Sequence, residues 1–163
     1  ALLAGLPRPL VGVTWRAGGV RGKKDTVKSV PPRELGAALR DAPGTILSLQ
    51  RLPEPGETEA FLAGLGRDAV DLSACNDDLE LMLALVAAID AYAGVSNANL
   101  HLRCAAGLPS DILVTFPLDW RWMRGEDGFL PWYPGCRSYR EEPGGGWTRA
   151  LAGLSAAARG WGA

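Results

Sequence analysis

Short, continuously apolar segments separated by helical stretches constrain the fold of this chain more than any other feature. Strands are predicted at Leu10–Thr14, 45–49, Ala91–Val95 and 112–115, with shorter candidates at 69–72 and 137–140. Apolar strands that alternate with helices of about ten residues are typical of parallel βαβ units, whose strands are buried on both faces. The right-handed crossover rule then predicts an α/β protein with a three-layer, doubly wound (Rossmann-like) parallel sheet.

The helices expected between these strands have recognisable starts and stops. Pro32 suits the first turn of a helix that runs to about residue 40, and a second helix is predicted at Glu57–Leu65. Asp78 is expected to cap the strongest helix, where apolar residues recur at helical spacing. Further helices are predicted from about residue 99 to 106 and from 147 to 159. The 163 residues fit a single Rossmann-like domain spanning 1–163.

Composition excludes several classes of function. A formal net charge of −1 predicts no nucleic-acid partner. Three cysteines without a CxxC pair and one histidine predict no metal site, and the odd cysteine count indicates a reducing, cytoplasmic setting. The longest apolar run, residues 79–93, is too short to span a bilayer and contains Glu80 and Asp90, which predicts no membrane insertion. The abrupt start at Ala1 indicates a fragment of a longer polypeptide.

Glycines and cations are concentrated in the loop after the first strand. In open parallel sheets, ligands bind beyond the carboxyl ends of the strands, where the strand order reverses. Glycines let a backbone approach an anion closely and cations neutralise it, although a solvated surface loop has a similar composition. The spacing matches neither GxxxxGK[ST] nor GxGxxG. The residues concerned are Gly18, Gly19 and Gly22 with Arg16, Arg21, Lys23, Lys24 and Lys28.

A polar turn leads from the strand Ala91–Val95 into the next helix. It consists of Ser96, Asn97, Ala98 and Asn99, and His101 follows about one turn into the helix. Helix N-termini present free N–H groups and a partial positive charge, so they bind phosphate readily. Ordinary N-capping by Ser or Asn, and a purely structural histidine, are the alternatives.

An aromatic segment follows the predicted strand 112–115, where a loop is normally polar. It reads FPLDWRW at 116–122 and PWYPG at 131–135. Such rings are suited to stacking on a base or a sugar. Their density favours the other interpretation, in which most of them cover the end of the sheet as a small satellite core.

Taken together, these segments resemble the C-terminal domain of bacterial glycosyltransferases that carry tetratricopeptide repeats upstream. That group is similar to ADP-heptose:lipopolysaccharide heptosyltransferases and, more distantly, to O-GlcNAc transferases. The resemblance covers residues 10 to 154, and its most specific part is DWRW…PWYP. The other matching segments are GVTWRAG at 12–18, KSVP at 28–31, LSLQ at 47–50 and VSNANLHL at 95–102.

The resemblance implies the donor-binding half of a GT-B enzyme, with Lys28 as the catalytic residue that contacts the donor phosphate. It implies donor contacts from Thr14, Trp15, Gln50, Ser96, Asn97, Ala98, Asn99 and His101. Heptosyltransferases have D-T-G-x-x-H where this chain has SNANLH, so the histidine is kept while the acidic residue and the glycine are not. This departure weakens an assignment of ADP-heptose as the donor more than it weakens donor binding.

The implied activity is a metal-independent hexosyl or heptosyl transfer from a nucleotide-sugar substrate, without a cofactor. The implied partner is the N-terminal or tetratricopeptide-repeat region of the same polypeptide, which supplies the catalytic base. The isolated domain is therefore expected to be inactive. The main alternative is a degenerate Rossmann-like scaffold without donor binding, and a third is a hydrolase or epimerase that uses carboxylates among Asp71, Asp77 and Asp119.

Overall fold

The computed structural model describes residues 2–17, 28–124 and 130–162 and contains a six-stranded parallel sheet. Its order is β3-β2-β1-β4-β5-β6, which confirms the predicted doubly wound fold. The strand order reverses between β1 and β4. The predicted loop residues Gly18, Gly19, Arg21, Gly22, Lys23 and Lys24 lie outside the described residues. The strands are β1 (Leu10–Thr14), β2 (Thr45–Ser48), β3 (Val70–Asp71), β4 (Ala91–Val95), β5 (Asp111–Val114) and β6 (Arg137–Arg140).

Helices cover both faces of the sheet and complete three layers. Alternation along the strands sends Val11 and Val13 of β1 to one core and Tyr92 of β4 and Ile112 of β5 to the other. The first core is closed by α1, α2 and α5, and the second by α3 and α4. The helices are α1 (Pro32–Ala38), α2 (Glu57–Leu65), α3 (Leu79–Ala88), α4 (Ala98–Ala105) and α5 (Thr148–Ala158). In the ranges that the structure describes, none of them is long and apolar enough to cross a membrane.

Most element boundaries agree with the sequence to within one or two residues. Asp78 caps α3 as predicted, because its carboxylate accepts the amide of Leu81 at 3.0 Å. A 3₁₀ turn at Ser73–Asp77 was not predicted. It begins where the Asp71 carboxylate accepts the amide of Ser73 at 2.8 Å, a local side-chain bond that competes with continued strand pairing.

Two glycines let α1 and α2 pack backbone against backbone. A Cβ atom on Gly36 would overlap the carbonyl oxygen of Phe61, and one on Gly64 would overlap that of Arg33. Phe61 in turn stacks on Trp15 at the end of β1, with ring centroids 5.1 Å apart. Trp15, Leu35 of α1 and Phe61 of α2 thus belong to one core on this face of the sheet.

Candidate functional site

The N-terminus of α4 lies at the carboxyl edge of the sheet, where the strand order reverses. Asn97 is its N-cap, and its side-chain oxygen accepts the Leu100 amide at 3.0 Å and the Tyr92 hydroxyl at 3.2 Å. Its amide nitrogen donates to the Thr14 hydroxyl at 2.8 Å. The Asn97 side chain thus performs the capping role and fastens α4 to β1 and β4.

The first backbone amides of α4 are only partly used by the protein. Leu100 donates to Asn97, whereas the amides of Ala98 and Asn99 meet no acceptor among the residues that the structure describes. Amides in the first turn of a helix have no intrahelical partner and carry the positive end of the helix dipole. This end of α4 therefore has the donors and the field that an anion requires.

A cavity of about 130 Å³ lies beside these amides. Typical small-molecule pockets measure roughly 300–1,000 Å³, so this one suits a single phosphate group better than a whole nucleotide sugar. One of its cations, Arg16, is held by Glu57 at 2.9 Å and by the carbonyl oxygen of Leu52 at 2.9 Å. The cavity is lined by Arg16, Ala17, Arg51, Asn76, Asn97, Ala98 and Asn99.

A hydrogen-bonded chain joins Lys28 to the first turn of α4. The Lys28 ammonium donates to the Ser96 hydroxyl at 3.5 Å, and Ser96 lies 3.2 Å from Nε2 of His101. Nδ1 of His101 lies 2.8 Å from the hydroxyl of Tyr133. Because the Ser96 hydroxyl accepts from Lys28, its own proton can be donated to Nε2 of His101. Every hydrogen bond in this chain is then made when His101 carries its proton on Nδ1 and donates it to Tyr133. Lys28 and His101 thus meet at one hydroxyl.

Asp119 of the DWRW segment pairs with Lys28 at 3.1 Å. The same carboxylate accepts two bonds from the Arg121 guanidinium, at 2.9 and 3.0 Å. Burial alone would raise the pKa of Asp119, but the Arg121 amide and the Lys28 ammonium lower it, so the carboxylate is ionised. Two cations and one carboxylate leave this cluster with one net positive charge.

His101 lies in an aromatic pocket. Its ring stacks on Trp122 with centroids 5.6 Å apart, and Tyr133 lies beside both rings. Burial lowers the pKa of His101, and the charges on Arg121 and Lys28 lower it further against the opposing effect of Asp119. The imidazole is therefore held in its neutral form.

Four of the predicted donor-binding side chains lie beneath the crevice surface. Trp15 is fully buried in the core, and Thr14 is held by Tyr92 and Asn97. The side-chain oxygen of Gln50 accepts the amides of residues 15 and 16 at 3.0 and 2.9 Å. Asn99 is buried and donates to the Leu49 carbonyl and to Asn76. These side chains support the crevice, and Ser96 is buried as well, while Lys28, Ala98 and His101 are at least partly exposed.

The aromatic segment divides into a buried and an exposed part. Trp122 and Leu130 join the main core on the α3–α4 face, whereas Phe116, Trp120 and Trp132 are exposed, so the expectation that most of these rings form a satellite core was wrong. Trp120 and Trp132 form an edge-to-face pair, 5.3 Å between centroids, and remain more than half exposed. Arg121 lies over the Trp120 ring at 4.7 Å.

Asp71 and Asp119, two of the carboxylates considered for a hydrolase or epimerase, do not form a pair. Asp71 ends β3 and binds the amide of Ser73, whereas Asp119 follows β5 and binds Lys28. Strands β2, β1 and β4 separate these two positions. Within the described ranges, no three His, Cys, Asp or Glu side chains are grouped as metal ligands would be.

The sequence did not predict the roles of several residues in and behind the site. The sequence suggests Asp119 only as a carboxylate of a hydrolase or epimerase and as part of the DWRW segment, and Tyr133 only as part of an aromatic segment. Arg103 is almost fully buried in α4 and donates to the carbonyl oxygens of Ile89, Asp90 and Pro109. The available signal for Arg103 was its helical spacing from Leu100, three residues earlier, which places it on the buried face of α4.

A larger cavity of about 450 Å³ lies between α5 and the ends of β5 and β6, away from the reversal in strand order.

One comparison with known proteins gives a match. The chain is 28% identical over 159 residues to Protein FlbA of Caulobacter vibrioides, an alignment that covers 94% of this chain and 25% of that protein. The chain thus spans about a quarter of the length of the relative it matches. No protein-family model matches the chain. No solved structure matches it significantly.

Proposed function

We propose that this chain is the nucleotide-sugar-binding half of a metal-independent glycosyltransferase of the GT-B kind. The observation that carries the proposal is the convergence of the α4 N-terminus and Lys28 at the point where the strand order reverses. Doubly wound proteins bind nucleotides at this point. The segments that resemble glycosyltransferases, KSVP, VSNANLHL and DWRW, are the ones that meet there.

In this proposal the chain stabilises the nucleoside-diphosphate leaving group. Negative charge grows on the terminal phosphate as the glycosidic bond to the sugar breaks. Lys28, with the amides of Ala98 and Asn99, would face that charge from fixed positions, which lowers the barrier without solvent reorganisation. Ser96, His101 and Tyr133 act as positioning residues, since each is bonded to the next from Lys28 inward. Transfer of a hexosyl or heptosyl unit to an acceptor would follow.

The remaining parts of the reaction would come from outside this chain. We assign the acceptor site and the catalytic base to an N-terminal or tetratricopeptide-repeat region of the same polypeptide, working in the cytoplasm. The donor needs no further cofactor in this scheme. The isolated chain would then bind a nucleoside diphosphate but transfer no sugar.

A scaffold without donor binding is the second candidate, and one observation favours it. The Lys28 ammonium already has an anionic partner in Asp119, and the Asn97 side chain is used entirely within the protein. Against this stands the net positive charge of the Lys28–Asp119–Arg121 cluster, which remains after pairing.

Calorimetric titration with UDP, GDP, ADP and CDP, each beside its parent nucleoside, separates the two candidates. Donor binding predicts that at least one diphosphate binds, and that its nucleoside binds at least about tenfold more weakly. The reason is that the diphosphate adds charge-assisted hydrogen bonds, worth about 1.5–3 kcal/mol each. If no diphosphate binds, or if nucleoside and diphosphate bind equally, the scaffold is the better description.

A further inference from the structure

Two of the three cysteines face each other behind the candidate site. Cys104 lies in α4 and is buried, and Cys136 lies just before β6 and is partly exposed. Their sulfur atoms are 3.4 Å apart, although 32 residues separate them in sequence. A disulfide bond requires about 2.05 Å between sulfurs, so a movement of about 1.3 Å would join them.

We propose that Cys104 and Cys136 are a redox modification site at which a peroxide forms a reversible intramolecular disulfide. The pairing brings together the partly exposed Cys136, which a small oxidant reaches, and the buried Cys104, whose sulfur contacts Cys136 and the Ser110 hydroxyl. Disulfides in a reducing compartment are characteristically transient and redox-sensing, which matches a pair of free thiols held at contact distance.

The order of the chemical steps follows from the surroundings of the two sulfurs. The hydrogen bond from Cys104 lowers the pKa of Cys136, while the same bond and burial raise the pKa of Cys104. The Cys136 thiolate attacks one peroxide oxygen, the O–O bond breaks, and a sulfenic acid and hydroxide result. The Cys104 sulfur then attacks the Cys136 sulfur, the S–O bond breaks, and the thiol proton leaves with the hydroxyl group as water.

The new bond would fasten the aromatic segment to α4 directly behind His101. Cys104 lies three residues after His101 in α4, and Cys136 lies three residues after Tyr133, whose carbonyl oxygen accepts the Cys136 amide at 3.2 Å. A disulfide would therefore hold Tyr133 against His101. This inference does not rest on the proposed donor binding, because the dithiol and its oxidation are independent of any sugar.

The test is the mass of the reduced protein before and after treatment with hydrogen peroxide, followed by denaturation and N-ethylmaleimide. We expect the loss of two hydrogen atoms per chain, a single maleimide adduct at Cys75, and a cross-linked peptide that joins Cys104 to Cys136. Dithiothreitol should restore all three adducts. Retention of three adducts, or a disulfide that includes Cys75 or a second chain, would overturn the inference.

Variants provide the matched controls. Cys75→Ser should form the disulfide as the unaltered protein does, whereas Cys136→Ser should leave Cys104 reduced and slow its oxidation at least tenfold. If Cys136→Ser does not fold, the peptide map of the unaltered protein still shows whether a disulfide joins Cys104 to Cys136. Equal oxidation of Cys104 in the presence and absence of Cys136 would contradict the assigned order of steps.

Discussion

At the scale of single residues, the site is defined by how Lys28 is held. Its ammonium lies between the Asp119 carboxylate and the Ser96 hydroxyl, and His101 and Tyr133 continue the chain inward. A long lysine side chain loses rotamer freedom when it is fixed in this way. Because the Lys28 side chain is already fixed, binding of a ligand would cost less conformational entropy.

Replacement of Lys28 tests its proposed catalytic role. In the complete enzyme, Lys28→Ala should lower turnover more than donor affinity, because charge on the terminal phosphate is greatest in the transition state. The expected cost is about 2–4 kcal/mol of barrier, by analogy with the loss of one oxyanion donor. Initial rates at saturating and limiting donor measure both effects. The control is Arg159→Ala, because Arg159 is an exposed cation after α5. Unchanged turnover and donor affinity in Lys28→Ala would contradict a catalytic role for Lys28.

The neutral state of His101 predicts a pH dependence of stability. Its pKa is lowered in the folded protein, so the unfolded chain binds more protons near the ordinary histidine pKa of about 6.5. The contribution of His101 to the free energy of unfolding is therefore fully present above that value. It is lost as the pH falls toward the lower pKa of the folded protein. Denaturant titrations between pH 5 and 8 should show a shallower dependence for His101→Gln than for the unaltered protein. Identical slopes would mean that His101 is not held neutral.

At the scale of elements, buried polar groups and glycines decide how the helices sit. Arg103 binds carbonyl oxygens at the end of α3, at the start of β4 and before β5, so that one side chain orients α4. Gly36 and Gly64 set the distance between α1 and α2.

Arg103→Leu should lower the free energy of unfolding by about 3 kcal/mol. The substitution keeps an apolar stem but leaves several buried carbonyl oxygens without a donor, at roughly 1–3 kcal/mol each before relaxation. Chemical denaturation measures the change, and Arg159→Leu should alter stability by no more than about 0.5 kcal/mol. A loss for Arg103→Leu as small as that of this control would show that Arg103 does not hold α4.

Gly64→Ala should destabilise the protein by about 1–3 kcal/mol, because its Cβ would overlap the backbone of α1 and the helices must separate. Gly146→Ala is the control, since its Cβ would meet only the Glu142 carboxylate at 3.8 Å. Thermal unfolding of the two variants provides the comparison. Equal melting temperatures would contradict the close packing of α1 on α2.

At the scale of the whole molecule, the sequence predicts the sheet well and the side-chain network poorly. Runs such as LVGVT of β1 are apolar and β-branched, and burial on both faces of a parallel sheet demands just that pattern. The Lys28–Asp119 pair joins positions 91 residues apart, which no local pattern reveals. The resemblance implies that Gln50 contacts the donor, but its side-chain oxygen accepts the amides of residues 15 and 16 just after β1.

The central claim is that a nucleoside diphosphate binds at the N-terminus of α4. An amide-resolved NMR titration with the tightest-binding diphosphate measures this directly. We expect the largest shifts at residues 96–101, no shift of the Arg159 amide, and binding that Lys28→Ala weakens about tenfold or more. Absence of shifts at residues 96–101, or shifts confined to the cavity beside Glu142 and Arg149, would contradict it.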